Sequence, residues 1–168
     1  TGEYQKYNSA SYIVRNYMDP NGNNYIDSYP SRMVKLNSSI HFVGRIHEFL
    51  TPFCEPRKEF NDFVHHYGYV YKNEQEHVKH VWRNIEPLLV IRKEYPGDPR
   101  WIMQLDQEYF SAYDYEKVIT TSIEGLEEWR KYKKNLTYMP IHIGAIYAYL
   151  LLAFENLERY QEEKKWLR

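Results

Sequence analysis

A chain of 168 residues with 43% hydrophobic and 27% charged residues has room for one medium domain or two small ones, and the composition of a folded protein rather than a disordered one. Its formal charge of −1 supplies no basic face to compensate phosphate, so the overall charge argues against nucleic acid as a partner. The 18 Tyr, 7 Phe and 4 Trp mean that the core and any groove are built largely from amphipathic rings. No apolar run approaches the roughly 20 residues that span a bilayer, and the opening residues carry no signal-peptide pattern. Cys54, the single cysteine, permits neither an intramolecular disulfide nor a cysteine zinc cluster, which makes the reducing cytoplasm the natural setting.

Up to about residue 70 the signals are β-like. The stretch from Ser11 to Tyr17 is β-branched and aromatic, and Asp19-Pro20-Asn21-Gly22-Asn23-Asn24 is a dense turn cluster. Arg32 to Leu36 and Ile40 to Ile46, separated by Asn37-Ser38-Ser39, read as a hairpin. About three strands without a helical layer of their own make a poor independent domain.

Beyond residue 70 the period becomes helical. Val78, Val81, Trp82, Ile85, Leu88, Leu89 and Ile91 fall near i, i+3, i+4, i+7 spacing, with Pro87 as a potential kink. Tyr95-Pro96-Gly97 ends that helix, while Asp98 caps and Pro99 opens the next. Further helices are expected over Pro99 to Tyr113, Asp114 to Lys133, Thr137 to Phe154 and Leu157 to Arg168. A shift of 45 residues superimposes Leu105 on Leu150, Tyr109 on Phe154, Ala112 on Leu157 and Tyr115 on Tyr160, so a helix pair is the repeating unit. The segment Leu105 to Ile119 resembles the centre of a tetratricopeptide repeat, in which small residues let two helices approach; Gly125 can fill one such place. Asp106 stands where that motif usually has Gly and Val118 where it usually has Ala. The expected class is α+β and mostly α: a few strands over 1–70, then an antiparallel array of tetratricopeptide-like helical hairpins over 71–168.

The succession Arg32-Met33-Val34-Lys35-Leu36, a short Asn/Ser turn, then Phe42-Val43-Gly44-Arg45-Ile46-His47-Glu48 resembles the end of the catalytic domain in family 2 glycosyltransferases of the GT-A fold. Arg83-Asn84-Ile85-Glu86-Pro87-Leu88-Leu89, Pro96-Gly97-Asp98-Pro99 and Asp114-Tyr115-Glu116-Lys117 continue the same order, so the resemblance covers nearly the whole chain. It implies a truncated catalytic domain followed by a helical tail. The full-length form would transfer a sugar from a nucleotide-sugar to an acceptor with a divalent metal, manganese or magnesium. It makes His47 the metal ligand, Glu48 a partner of that ring or of the acceptor, and Arg32 and Arg45 contacts to phosphate or to a structural carboxylate. No catalytic base is identified in this chain. A protein partner for the helices is the other implied role, with the whole chain then a non-catalytic interaction module.

Other clusters carry less. His77 and His80 share a helix face without a completing ligand, and His65 and His66 are adjacent and diverge on regular structure. Tyr67, Tyr69 and Tyr71 alternate and read either as inter-region packing or as a platform for a sugar ring. Asp19, Asp27 and Asp62 are isolated, and no Asp-x-Asp doublet occurs. The resemblance therefore places the donor-binding half upstream of Thr1 and predicts a chain that does not transfer sugar by itself.

Overall fold

The computed structural model describes residues 2–36, 39–51, 55–136 and 139–167. Cys54, the Asn37 and Ser38 of the expected hairpin turn, and Thr137 at the expected start of a helix lie outside them. The fold is α+β, and the chain divides into two compact units, Thr1–His77 and Val78–Arg168.

The first unit is organised by β1 (Ser9–Tyr17), which has partners on both sides. On one side run β2 (Tyr25–Ser28) and β3 (Ser31–Val34), both antiparallel; Val14 faces Ser28 and Ser11 faces Ser31, so the two short strands form one line broken at Tyr29-Pro30. On the other side β6 (Arg57–His66) runs parallel to β1, with Ser9 opposite Arg57 and Asn16 opposite His66. The Asp19 cluster is the turn that returns the chain from β1 to β2: the Asp19 carboxylate accepts from the backbone N–H groups of Asn21 and Asn24, and Gly22 takes φ 75°. A side chain at Gly22 would press on the Tyr17 ring, 3.2 Å from the position of its Cβ.

The expected hairpin of Arg32–Leu36 with Ile40–Ile46 is not formed. β3 pairs with β1, while β4 (His41–Val43) pairs with β5 (Phe49–Thr51) in a separate two-stranded sheet. Gly44 at φ 112° and His47 at φ 51° turn the chain so that Val43 meets Phe49, and His47 lies on the connecting loop rather than at a strand end. β6 escaped the sequence reading because its register against β1 shifts between Ser11 and Ile13, and the bulge breaks the period-two alternation of Phe60, Phe63 and Val64.

In the second unit the expected helices form. α1 (Glu74–Glu94) is capped by the Asn73 side chain accepting from the Glu76 N–H, and runs through Pro87 without ending. α2 (Pro99–Ser111) opens as anticipated, with the Asp98 carboxylate accepting from the Arg100 N–H and Pro99 in the first turn. α3 (Tyr115–Tyr132), α4 (Pro140–Asn156) and α5 (Tyr160–Trp166) follow. Trp101, Ile102, Leu105, Val118, Leu126, Ile146, Leu150 and Phe154 form the core. Gly125 is the point of closest approach, because a Cβ there would overlap the side chain of Ile102.

The 45-residue echo has a backbone counterpart. At the end of α2 the Tyr113 N–H bonds to the Phe110 C=O and the Asp114 N–H to the Tyr109 C=O; at the end of α4 the Glu158 N–H bonds to the Glu155 C=O and the Arg159 N–H to the Phe154 C=O. Both are Schellman turns closed by a left-handed residue, Tyr113 at φ 60° and Glu158 at φ 55°. Neither is glycine, so each carries a backbone penalty.

The core also contains a polar layer. Asn84 donates to Glu108 at 3.0 Å, and Ser122 donates to Asp106 at 2.8 Å, with Asp106 fully buried and its other carboxyl oxygen without a partner among the described residues. Burial raises the Asp106 pKa well above the usual carboxylate range, opposed by the Ser122 hydrogen bond and the charge of Arg92.

Because the folded state holds the Asp106 proton more tightly than the unfolded chain, its contribution is fully present below the unfolded pKa of about 3.9 and is lost as pH rises through the raised folded value, at a limiting slope of about 1.4 kcal/mol per pH unit. Asp106→Asn abolishes that slope, raising stability at pH 7 relative to wild type but not at pH 3, as read by denaturant titration; equal effects at both pH values would contradict the assignment. Tyr113→Gly relieves the left-handed strain and stabilises by up to about 1 kcal/mol, whereas Tyr113→Ala gives no such gain.

Candidate functional site

Parallel pairing brings the C-terminal ends of β1 and β6 together, and the residues there are polar or aromatic. The position is a favoured one, since ligands of open sheets with parallel strands bind beyond the carboxyl ends of those strands. His65 and His66 are adjacent in β6 and alternate across the sheet, so each meets a different β1 side chain.

On one face His66 Nδ1 lies 2.8 Å from Asn16 Oδ1. The Asn16 amide cannot be reversed without loss, because its Nδ2 donates to the C=O groups of Val14 and Ile26 and to Ser28 Oγ, at 3.1, 3.0 and 3.1 Å. Oδ1 only accepts, so the neutral His66 ring carries its proton on Nδ1 and its lone pair on Nε2. Gly68 leaves the space that this ring occupies, since a Cβ there would stand 2.5 Å from Nε2. An exposed imidazole with a fixed tautomer and a basic Nε2 is the form in which a histidine binds a metal or accepts a proton.

On the other face His65 Nδ1 lies 2.7 Å from the Tyr17 hydroxyl, and the rings of Tyr17 and Tyr67 stack at 4.6 Å and 16°. Beside them Arg15 is held by Asp27 through two hydrogen bonds of 3.0 and 2.9 Å, with its guanidinium over the rings of Tyr25 and Phe63 at 4.2 and 4.4 Å. The Asp27 bonds raise the Arg15 pKa further, and the same bonds lower that of Asp27.

The remainder of the His66 face is largely apolar and open. Ile26, Met33, Phe60 and Val64 are 61%, 43%, 38% and 45% exposed. A cavity of about 400 Å³ lies among Tyr7, Ala10, Met33, Lys35, Lys58 and Phe60, and a second depression follows along Tyr12, Phe60 and Val64.

The residues singled out by the glycosyltransferase resemblance are elsewhere. Arg45, His47 and Glu48 share the exposed loop between β4 and β5, while Arg32 is exposed on β3 in the other sheet. No group of three or more His, Cys, Asp or Glu side chains suited to a metal occurs among the described residues. The His77 ring lies 4.8 Å from that of Tyr71, tilted by 34°, and His80 lies 3.3 Å from Arg83. Asn16 and His66 are 50 residues apart and had no local signal; the divergence of His65 and His66, read as a reason to set them aside, is what gives each its own partner. No known family model and no curated protein matches this chain.

Gly68→Ala is predicted to displace the His66 ring, and Asn16→Ala to remove its anchor. Nitrogen-15 NMR of the histidine side chains should show the Nδ1–H tautomer at His66 in the wild type and its loss in both variants. A wild-type ring protonated on Nε2 would contradict the network.

Proposed function

We propose that this chain is the C-terminal part of a metal-dependent glycosyltransferase of the GT-A type, whose full-length form transfers a sugar from a nucleotide-sugar to an acceptor, with the helical unit as a tetratricopeptide-like tail. The observation that carries the reading is the open apolar face of the β1 sheet. A sheet face bearing Ile26, Met33, Phe60 and Val64 demands a covering layer, because burying each such side chain is worth about 1.5–3 kcal/mol. A self-sufficient interaction module would bury that face within itself. The ordered succession of motifs along the chain supports reading the larger domain as a glycosyltransferase.

Departure of a nucleoside diphosphate builds negative charge, which a divalent ion of the manganese or magnesium kind stabilises as a Lewis acid. The chain's contribution is a neutral nitrogen ligand that does not cancel the ion's charge. His66 is better suited to that role than His47, because Asn16 fixes its tautomer and Gly68 leaves room for Nε2, whereas His47 stands on a hairpin loop at positive φ. Arg32, Arg45 and Glu48 are surface groups within reach of solvent-borne substrates, in keeping with contacts to phosphate or acceptor.

The alternative, a non-catalytic tetratricopeptide-like module that grips a protein partner, is favoured by the paired Schellman turns 45 residues apart. An assay with a panel of nucleotide-sugars and manganese separates the two. The chain alone is predicted to give no transfer, and a longer native product bearing an Asp-x-Asp pair to give transfer that His66→Ala reduces about ten- to a hundredfold, the range typical of disturbing an oriented metal site. Turnover by the chain alone, or full activity in His66→Ala, would contradict the proposal.

A further inference from the structure

The two faces of the β1 sheet differ in chemistry. The His66 face is apolar around Met33, Phe60 and Val64 and asks for a packing layer. The opposite face combines half-exposed rings with paired hydrogen-bonding groups, which is the make-up of a ligand surface. Tyr67 is 52% exposed although its ring stacks on Tyr17, and Tyr25 and Phe63 are each 44% exposed while flanking the Arg15 guanidinium.

The arrangement is preorganised. Tyr17 is only 6% exposed; it is backed by the Gly22 turn and hydrogen-bonded to His65, so the ring beneath Tyr67 does not move freely. Arg15 and Asp27 fix each other through two bonds. That pairing also selects the ligand. With its guanidinium engaged by a carboxylate, Arg15 offers no net positive charge, so a phosphate or other anion gains little here. A neutral molecule with an apolar C–H face and a rim of hydroxyls matches both halves: the face stacks on Tyr67, and the hydroxyls meet the Arg15–Asp27 pair and the Tyr17–His65 pair.

We propose that this ring surface, formed by Tyr67, Tyr25 and Phe63 around Arg15–Asp27, binds a neutral pyranose. The inference stands apart from the enzyme reading above: a saccharide held here is a bound ligand and not the acceptor of a donor at His66. The site lies at the same strand ends as His66 but on the other face of the sheet.

The test is titration of the purified chain with the methyl glycosides of glucose, galactose and mannose and with N-acetylglucosamine, followed by the aromatic ring signals in carbon-13 NMR. At least one glycoside is expected to saturate and to shift Tyr67 together with Tyr25 or Phe63. Tyr67→Ala should weaken that binding about tenfold, or ~1.4 kcal/mol, with circular dichroism unchanged, and Tyr67→Phe should keep it. Absence of saturable binding by all four sugars, or binding undiminished in Tyr67→Ala, overturns the proposal. Failure of the enzyme reading looks different. Saccharide binding by the chain, with no transfer by any longer product, would remove the enzyme and leave the surface; transfer without such binding would do the reverse.

Discussion

The parallel pairing of β1 with β6 is the constraint on which the first unit depends. It sets Asn16 beside His66 and Arg15 beside His65, although some 50 residues of chain lie between the partners in each case. Antiparallel neighbours would have followed from a local turn, but a parallel neighbour needs a long connection, and here that connection includes the β4–β5 hairpin. The strand ends so aligned carry two separately anchored histidines on opposite faces. Neither anchoring is possible with β6 slipped by one residue, because every side chain would then change faces.

The second unit is held by a different device. In it α2 and α3 meet at Gly125 against Ile102, and α2 and α4 end in the same kind of turn. Inside it, Asp106 and Ser122 replace what an apolar layer would supply. Burial raises the Asp106 pKa, and the Ser122 hydrogen bond ties the acid on α2 to α3.

Helix boundaries were legible in the sequence where a local chemical signal marks them. Asp98-Pro99 is the clearest case: the cap bond and the first-turn proline both appear where the pair predicts them. Leu105 and Leu150, matched in size across 45 residues, are both buried. Strand pairing was not legible. The Asn/Ser segment after Leu36 suggested a hairpin, yet β3 and β4 each satisfy their backbone groups with other strands, a choice made by distant residues. β6 was hidden by its bulge, and with it the site. His47 drew attention through its motif, whereas His66 is defined by Asn16 and by the empty space at Gly68, neither of which composition or spacing encodes.

The central proposal is that the sheet of the first unit belongs to a larger domain whose remaining layer covers Ile26, Met33, Phe60 and Val64. The measurement that tests it most directly is the intact mass and N-terminal sequence of the protein as its source produces it. A product well above 20.5 kDa, with an Asp-x-Asp pair upstream of the position of Thr1, is the predicted result. A native protein that begins at Thr1 would contradict it and leave the helical unit as the part to which a function must be assigned.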